Sequence, residues 1–165
     1  NILFVVENDS RKLLFGTHNI VTDAGDTYYA EAGAGQTPAN AFTELSVSTN
    51  AWAVAPGKAS DSDDLTVAVA AGTAAKAKTA GYPTTADADA DNTGSGADVI
   101  SWLFNYAKVD FNDPSIESAA VHVTGATFGA ATADPLLAAF SVTPFAKTAD
   151  DTLKIFVNHE MLGIA

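Results

Sequence analysis

The chain has 165 residues, with 20 acidic against 8 basic side chains, a formal net charge of −12 and no cysteine. This balance argues against direct nucleic-acid binding, since phosphate contacts need clustered Lys or Arg, and the missing thiols exclude disulfide, zinc–thiolate and iron–sulfur sites. The length fits one domain, residues 1–165, with a sizeable core, and the lack of a run of about 18 apolar residues argues against a membrane span.

The N-terminal part of the chain predicts two strands and a short helix. Residues 2–6 and 13–15 are apolar runs on either side of a polar turn, which is typical of paired strands. Residues 22–31 are the best helix candidate, because the Thr22 hydroxyl can cap the first turn. Gly25 opposes that helix, since glycine lowers helix propensity.

The middle of the chain predicts three strands and two polar loops. Alternating apolar residues indicate strands at 42–48, 65–71 and 75–82. Residues 52–64 combine Pro, Gly, Lys and Asp, and residues 83–98 are acidic and contain glycine. Both compositions are typical of exposed loops.

The strongest strand patterns lie in the last third of the chain. They cover residues 99–111, 116–124, 136–145 and 152–159, and the last two flank a polar turn at 146–151. Short strands separated by turns predict a mostly β protein, an antiparallel β-sandwich that is jelly-roll-like, with at most one or two short helices. Seven apolar side chains are predicted core residues: Trp102, Phe104, Val121, Val123, Leu153, Ile155 and Val157.

An acidic loop offers the pattern closest to a metal site. Four aspartates fall at calcium-loop spacing: Asp87, Asp89, Asp91 and Asp98. Hard cations prefer several carboxylate and carbonyl oxygens from one loop, so the spacing predicts a calcium site. Asn92 stands where such loops carry glycine, and the alternative is a solvated acidic connector. A shorter group of aspartates makes a weaker version of the same pattern: Asp61, Asp63 and Asp64.

No other motif predicts chemistry. His122 and His159 lie in strand patterns and are expected to be surface or half-buried residues rather than ligands or bases, and no serine stands in a nucleophile elbow. Facing carboxylates for glycoside hydrolysis are a spatial feature that five scattered glutamates leave open. Aromatic residues are expected mainly in the core, and Trp52, in its polar loop, is the best candidate for an exposed sugar-binding side chain.

Three segments together resemble small structural proteins of tailed-phage virions. They are residues 18–30 (HNIVTDAGDTYYA), Tyr82-Pro83 with residues 91–94 (DNTG), and residues 147–159 (KTADDTLKIFVNH). The resemblance is to a style of sequence spread over most of the chain. Proteins of this style include capsid decoration (cement) proteins and tail-fibre or adaptor modules, commonly β-sandwiches, and no catalytic residue comes with it.

The resemblance implies a non-enzymatic virion protein on the capsid exterior that decorates or cements the shell by binding major capsid protein subunits. A homo-oligomer, dimer or trimer, would suit the symmetry axes of a capsid. The alternative is a tail-fibre or adaptor module that binds a host-surface glycan. A glycoside-active enzyme is a third, separate class.

Overall fold

The computed structural model describes residues 2–69, 72–85, 99–129 and 133–161. These residues form two antiparallel sheets and one α-helix, α1 (Asp23–Gly33). In chain order the strands are β1 (Ile2–Asn8), β2 (Arg11–Thr17), β3 (Ile20–Val21), β4 (Phe42–Ser48), β5 (Ala75–Ala77), β6 (Val99–Tyr106), β7 (Asp113–Val123), β8 (Leu136–Lys147) and β9 (Thr152–Glu160). The mostly β, antiparallel sandwich predicted from the sequence is confirmed.

The two sheets face each other across one apolar core. One has the strand order β2-β1-β9-β6, and the other has the order β3-β8-β7-β4-β5. Phe4 of β1 meets Phe140 and Phe145 of β8 with ring centroids 6.4 and 5.3 Å apart. Phe15 of β2 stacks on Phe145 at 5.0 Å. Aromatic contacts therefore join the sheets, while the jelly-roll arrangement stays a prediction.

The predicted core residues lie where the sequence pattern placed them. Six are buried and Val123 is partly buried, and all seven belong to the cluster between the sheets. A smaller cluster lies on the outer face of the five-stranded sheet, under the loop that follows β4. Its buried members are Trp52, Leu65, Ala120, Leu136 and Ala139.

Some strand boundaries differ from the sequence prediction. Residues 65–69 form no strand, because the side chain of Ser48 bonds to their backbone in place of a regular ladder: its Oγ donates to Thr66 O and accepts from Ala68 N. β5 keeps only three residues of the predicted 75–82. β6 ends at Tyr106, and the turn that follows leaves Val109 89% exposed.

Helix α1 is held against β8 by its N-terminus. Thr22 is the predicted cap: its Oγ1 accepts from Gly25 N at 3.1 Å and donates to the carbonyl of Leu136. Thr22 N donates to Leu137 O at 3.1 Å. A Cβ on Gly25 would stand 2.3 Å from Leu137 O and 2.8 Å from a methyl of Val21. Gly25 opposed the helix prediction, yet its lack of a Cβ is what allows α1 to pack against β8.

We expect Gly25→Ala to destabilise the protein, by about 1–3 kcal/mol from overpacking. Helix propensity alone predicts the opposite sign, a gain of about 1 kcal/mol. Gly33→Ala in the same helix is the control, since a Cβ on Gly33 would meet no atom of the described residues within 4 Å, and it should be neutral or stabilising. Urea unfolding of both variants decides the matter, and a stabilised Gly25→Ala would contradict the docking of α1 on β8.

Candidate functional site

The predicted acidic sites have different outcomes. Asp87, Asp89, Asp91 and Asp98 lie outside the described residues, so the calcium site stays a prediction. The weaker group, Asp61 to Asp64, forms a capped 3₁₀ turn: Asp61 Oδ1 accepts from Asp63 N at 2.9 Å, and Asp64 Oδ2 accepts from Asp61 N at 3.2 Å. Within the described ranges, no three His, Cys, Asp or Glu residues are grouped to hold a metal ion.

His159 lies in a buried polar network that joins α1 to the four-stranded sheet. Its Nδ1 is 2.5 Å from the hydroxyl of Tyr29 on α1, and that hydroxyl accepts from Trp102 Nε1 at 3.0 Å. Its Nε2 contacts the side-chain amide of Asn19. His159 is 4% exposed, so the expectation of a surface or half-buried histidine is wrong. Strand alternation predicts which face of β9 carries His159, but it does not predict that α1 covers that face.

The hydrogen bonds assign the tautomer of His159. Asn19 Nδ2 donates to His159 Nε2, so the neutral ring carries its proton on Nδ1. That proton is donated to the Tyr29 hydroxyl, whose second lone pair accepts from Trp102 Nε1. Burial lowers the pKa of His159 to about 3 and raises the pKa of Tyr29 above its usual value. At neutral pH both groups are uncharged.

His122 forms a second buried network on the outer face of the five-stranded sheet. Its Nδ1 lies 2.7 Å from Val123 O and must donate there, so Nε2 accepts from the hydroxyl of Ser46 at 2.9 Å. The carboxylate of Glu44 is 3.9 Å from Nδ1, and the ring of Phe128 packs edge-on with its centroid 5.0 Å from that of the imidazole. Burial lowers the pKa of His122, and the prediction of an exposed or half-buried strand residue is wrong here too.

Ser46, His122 and Glu44 contact one another in the same succession as the nucleophile, the base and the acid of a catalytic triad. Ser46 and His122 are only 2% and 1% exposed, and Glu44 also accepts from Gly125 N at 3.1 Å. A substrate atom must come within hydrogen-bond reach of a nucleophile and its base. The covered serine therefore serves the packing of β4 against β7, a role that no motif in the sequence signals.

We expect Ser46→Ala to cost about 1–3 kcal/mol of unfolding free energy, because it leaves the buried His122 Nε2 without its donor. Ser10→Ala is the matched control, since Ser10 is exposed in the β1–β2 turn, and it should change stability by less than about 0.5 kcal/mol. Chemical denaturation measures both variants. Equal effects of the two substitutions would contradict the Ser46–His122 bond.

Trp52 is buried, which corrects its prediction as an exposed sugar-binding residue. Its indole is 7% exposed and Nε1 donates to Phe140 O at 3.0 Å. The polar composition of its loop predicted exposure, but the loop folds back and covers the outer face of the five-stranded sheet. The large hydrophobic residues that are exposed within the described ranges include no aromatic one: Leu13, Leu14, Val54, Val109 and Met161.

Charged side chains tie the loops to the sandwich. Four of the eight basic residues form ion pairs with carboxylates: Arg11, Lys58, Lys76 and Lys154. Lys147 is fully buried, and its Nζ donates to Phe111 O at 2.7 Å and to Lys108 O at 3.2 Å while lying 4.9 Å from the Phe111 ring centroid. Burial lowers the pKa of Lys147. These cations support the fold, and the acidic excess of the chain remains.

Two of the five exposed large hydrophobic residues in the described ranges lie on β2. Leu13 and Leu14 are exposed neighbours on this strand, which is the outermost strand of its sheet. Beside it, Phe15, Gly16 and Thr17 line a shallow groove of about 250 Å³ together with Phe4, Val142 and Thr143. An open sheet edge beside a groove of mixed polar and apolar lining is a surface suited to protein contacts.

Comparison of the chain with protein-family models, with curated proteins and with solved structures gave no match. Across the described part of the chain, no helix has the length and apolar character to cross a bilayer. Arguments about function therefore rest on the residues themselves.

Proposed function

We propose that this protein is a non-enzymatic structural protein of a virion, which decorates or cements the capsid exterior by binding major capsid protein subunits. Its contribution is interface area repeated over a symmetric shell, so that many weak contacts act together. The proposal takes its particular class from the resemblance of residues 18–30 and 147–159 to tailed-phage virion proteins.

The observation that carries the proposal is that side chains capable of acid–base chemistry are buried and bonded to other parts of the fold. His122 and His159 are buried and bonded to neighbouring elements, and Asp151 is fully buried in a turn. The exposed apolar residues of β2 lie on a sheet edge instead of in a deep cleft. Such a distribution favours work by surface contact over work by catalysis.

A tail-fibre or adaptor module that binds glycans is the alternative. Sugar recognition commonly places an aromatic face in solvent, and the residue expected to do so, Trp52, is buried. The capsid protein is therefore the better supported of the two, because binding to a protein shell needs no exposed aromatic platform.

Quantitative proteomics of purified virions tests the proposal. A decoration protein is expected in hundreds of copies per particle, and immunogold labelling should mark the shell. A few to a few dozen copies with label on the tail would support the alternative, and absence from purified particles would overturn both. A glycan array with the isolated protein is expected to show no binding.

A further inference from the structure

The two neighbouring sheet edges on the groove side of the sandwich differ in how they are protected. β3 covers β8 only at Ala138 and Ala139, and further along β8 the exposed Pro144 provides no N–H for another strand. β2 has seven residues and no proline, and no strand among the described residues pairs with its outer side. Edges left open in this way are templates for strand addition.

We propose that β2 pairs with β2 of a second copy of this chain, antiparallel about a two-fold axis through Leu14. A two-fold axis makes the interface self-complementary. In this register Leu14 faces Leu14 of the second copy, and Leu13 faces Phe15 of the second copy. The inference is independent of the virion proposal, because it concerns only contacts between copies.

The groove beside β2 is consistent with this register. Phe15 lines the groove, and residues directly opposite each other on paired strands project to the same face of the sheet. Leu13 of each copy would therefore lie over the groove of the other, beside Phe15. One register therefore covers both the exposed leucines of the edge strand and the groove next to them.

The charges on β2 do not oppose pairing with a second copy at this edge. β2 carries Arg11 and Lys12 at one end and no acidic residue, although the whole chain has a net charge of −12. Antiparallel pairing about Leu14 sets Lys12 opposite Gly16 and Arg11 opposite Thr17 of the second copy, so like charges do not face each other. By contrast, the edge at β3 continues directly into the acidic first turn of α1, with Asp23 and Asp26.

Charge substitutions at the axis test the pairing. We expect the native protein to be a dimer by analytical ultracentrifugation, and we expect Leu14→Lys and Leu14→Glu each to weaken dimerisation by about tenfold or more, because each places like charges directly opposite. An equimolar mixture of the two variants should form dimers again, since Lys then faces Glu. Val109→Lys and Val109→Glu are the controls, because Val109 is equally apolar and 89% exposed in a distant turn.

Rescue by mixing requires that residue 14 meets residue 14, and a general loss of folding cannot produce it. Circular dichroism and thermal unfolding of each single variant check the fold. A monomeric native protein, dimers that persist in both Leu14 variants, or a mixture that stays monomeric would each overturn the proposal. If the native chain is monomeric and the Leu14 variants lose binding to virions, the β2 edge contacts capsid subunits, and the proposed function stands without the dimer.

Discussion

Asp151→Ala is expected to lower the free energy of unfolding by about 1–3 kcal/mol, the cost of leaving hydrogen-bond donors without a buried acceptor. The Asp151 carboxylate has no exposed surface and pairs with Arg11 Nη2 at 2.5 Å. It also accepts from Asn8 Nδ2 at 2.6 Å and from the backbone N and Oγ1 of Thr148 at 2.8 and 2.7 Å. One side chain thus joins the β1–β2 turn to the β8–β9 turn, and its loss leaves donors in both turns without their acceptor.

The same carboxylate gives a pH signature. Burial acts to raise the pKa of Asp151, but the hydrogen bonds from Arg11, Thr148 and Asn8 outweigh it and hold the pKa well below its usual range. The folded pKa is below the unfolded one, so this stability is present above about pH 4 and is lost as the pH falls further. Asp150→Ala, an exposed neighbour in the same turn, is the control for urea unfolding at pH 7 and pH 3. An effect of Asp151→Ala no larger than that of Asp150→Ala would contradict the anchor.

The second large effect is a loss of stability in mild acid that depends on His159. Its pKa is about 3 in the folded protein, chiefly because of burial, against about 6.5 in an unfolded chain. Below pH 6.5 the unfolded state therefore binds a proton that the folded state does not. Stability is full above pH 6.5 and falls by up to about 1.4 kcal/mol per pH unit between pH 6 and pH 4. His122, whose pKa is also lowered by burial, adds to the slope.

Substitution separates the two histidines. His159→Gln should reduce the difference in unfolding free energy between pH 7 and pH 5, even though it lowers the absolute stability at both. His122→Gln should reduce the same difference through the other network, and His18→Gln, at an exposed position, controls for removal of an imidazole. If the slope of His159→Gln equals that of the native chain, the Tyr29–His159 network does not hold the ring neutral.

Local pattern predicted much of the fold. The terminal hairpin, β6, β7 and the capped helix follow from alternation and from Thr22, because strand period and caps are properties of neighbouring residues. The core faces followed as well, since one face of an alternating strand must be buried. Gly25 illustrates the limit of propensity: its cost to the helix is visible in the sequence, while the close contact with Leu137 that requires it joins residues more than a hundred positions apart.

Burial of polar and aromatic loop residues was not predictable in this way. Trp52 has polar neighbours in sequence, yet its indole bonds to Phe140 on a strand far along the chain. His159 and Asp151 each find partners from the N-terminal third. The composition of a segment predicts only its average exposure. Whether Trp52, His159 or Asp151 is buried depends on which distant element covers it.

The place of β1 between β2 and β9 has a consequence for synthesis. The first strand pairs residue for residue with the last, from Ile2 opposite Val157 to Glu7 opposite Thr152. The four-stranded sheet thus cannot form completely until residues 152–160 have left the ribosome. Until then the apolar face of the β1–β2 hairpin stays exposed to solvent. Pairing at such sequence separation is intrinsically slow. Nascent chains arrested before β9 should therefore be protease-sensitive, and release of the completed chain should convert them to the resistant form.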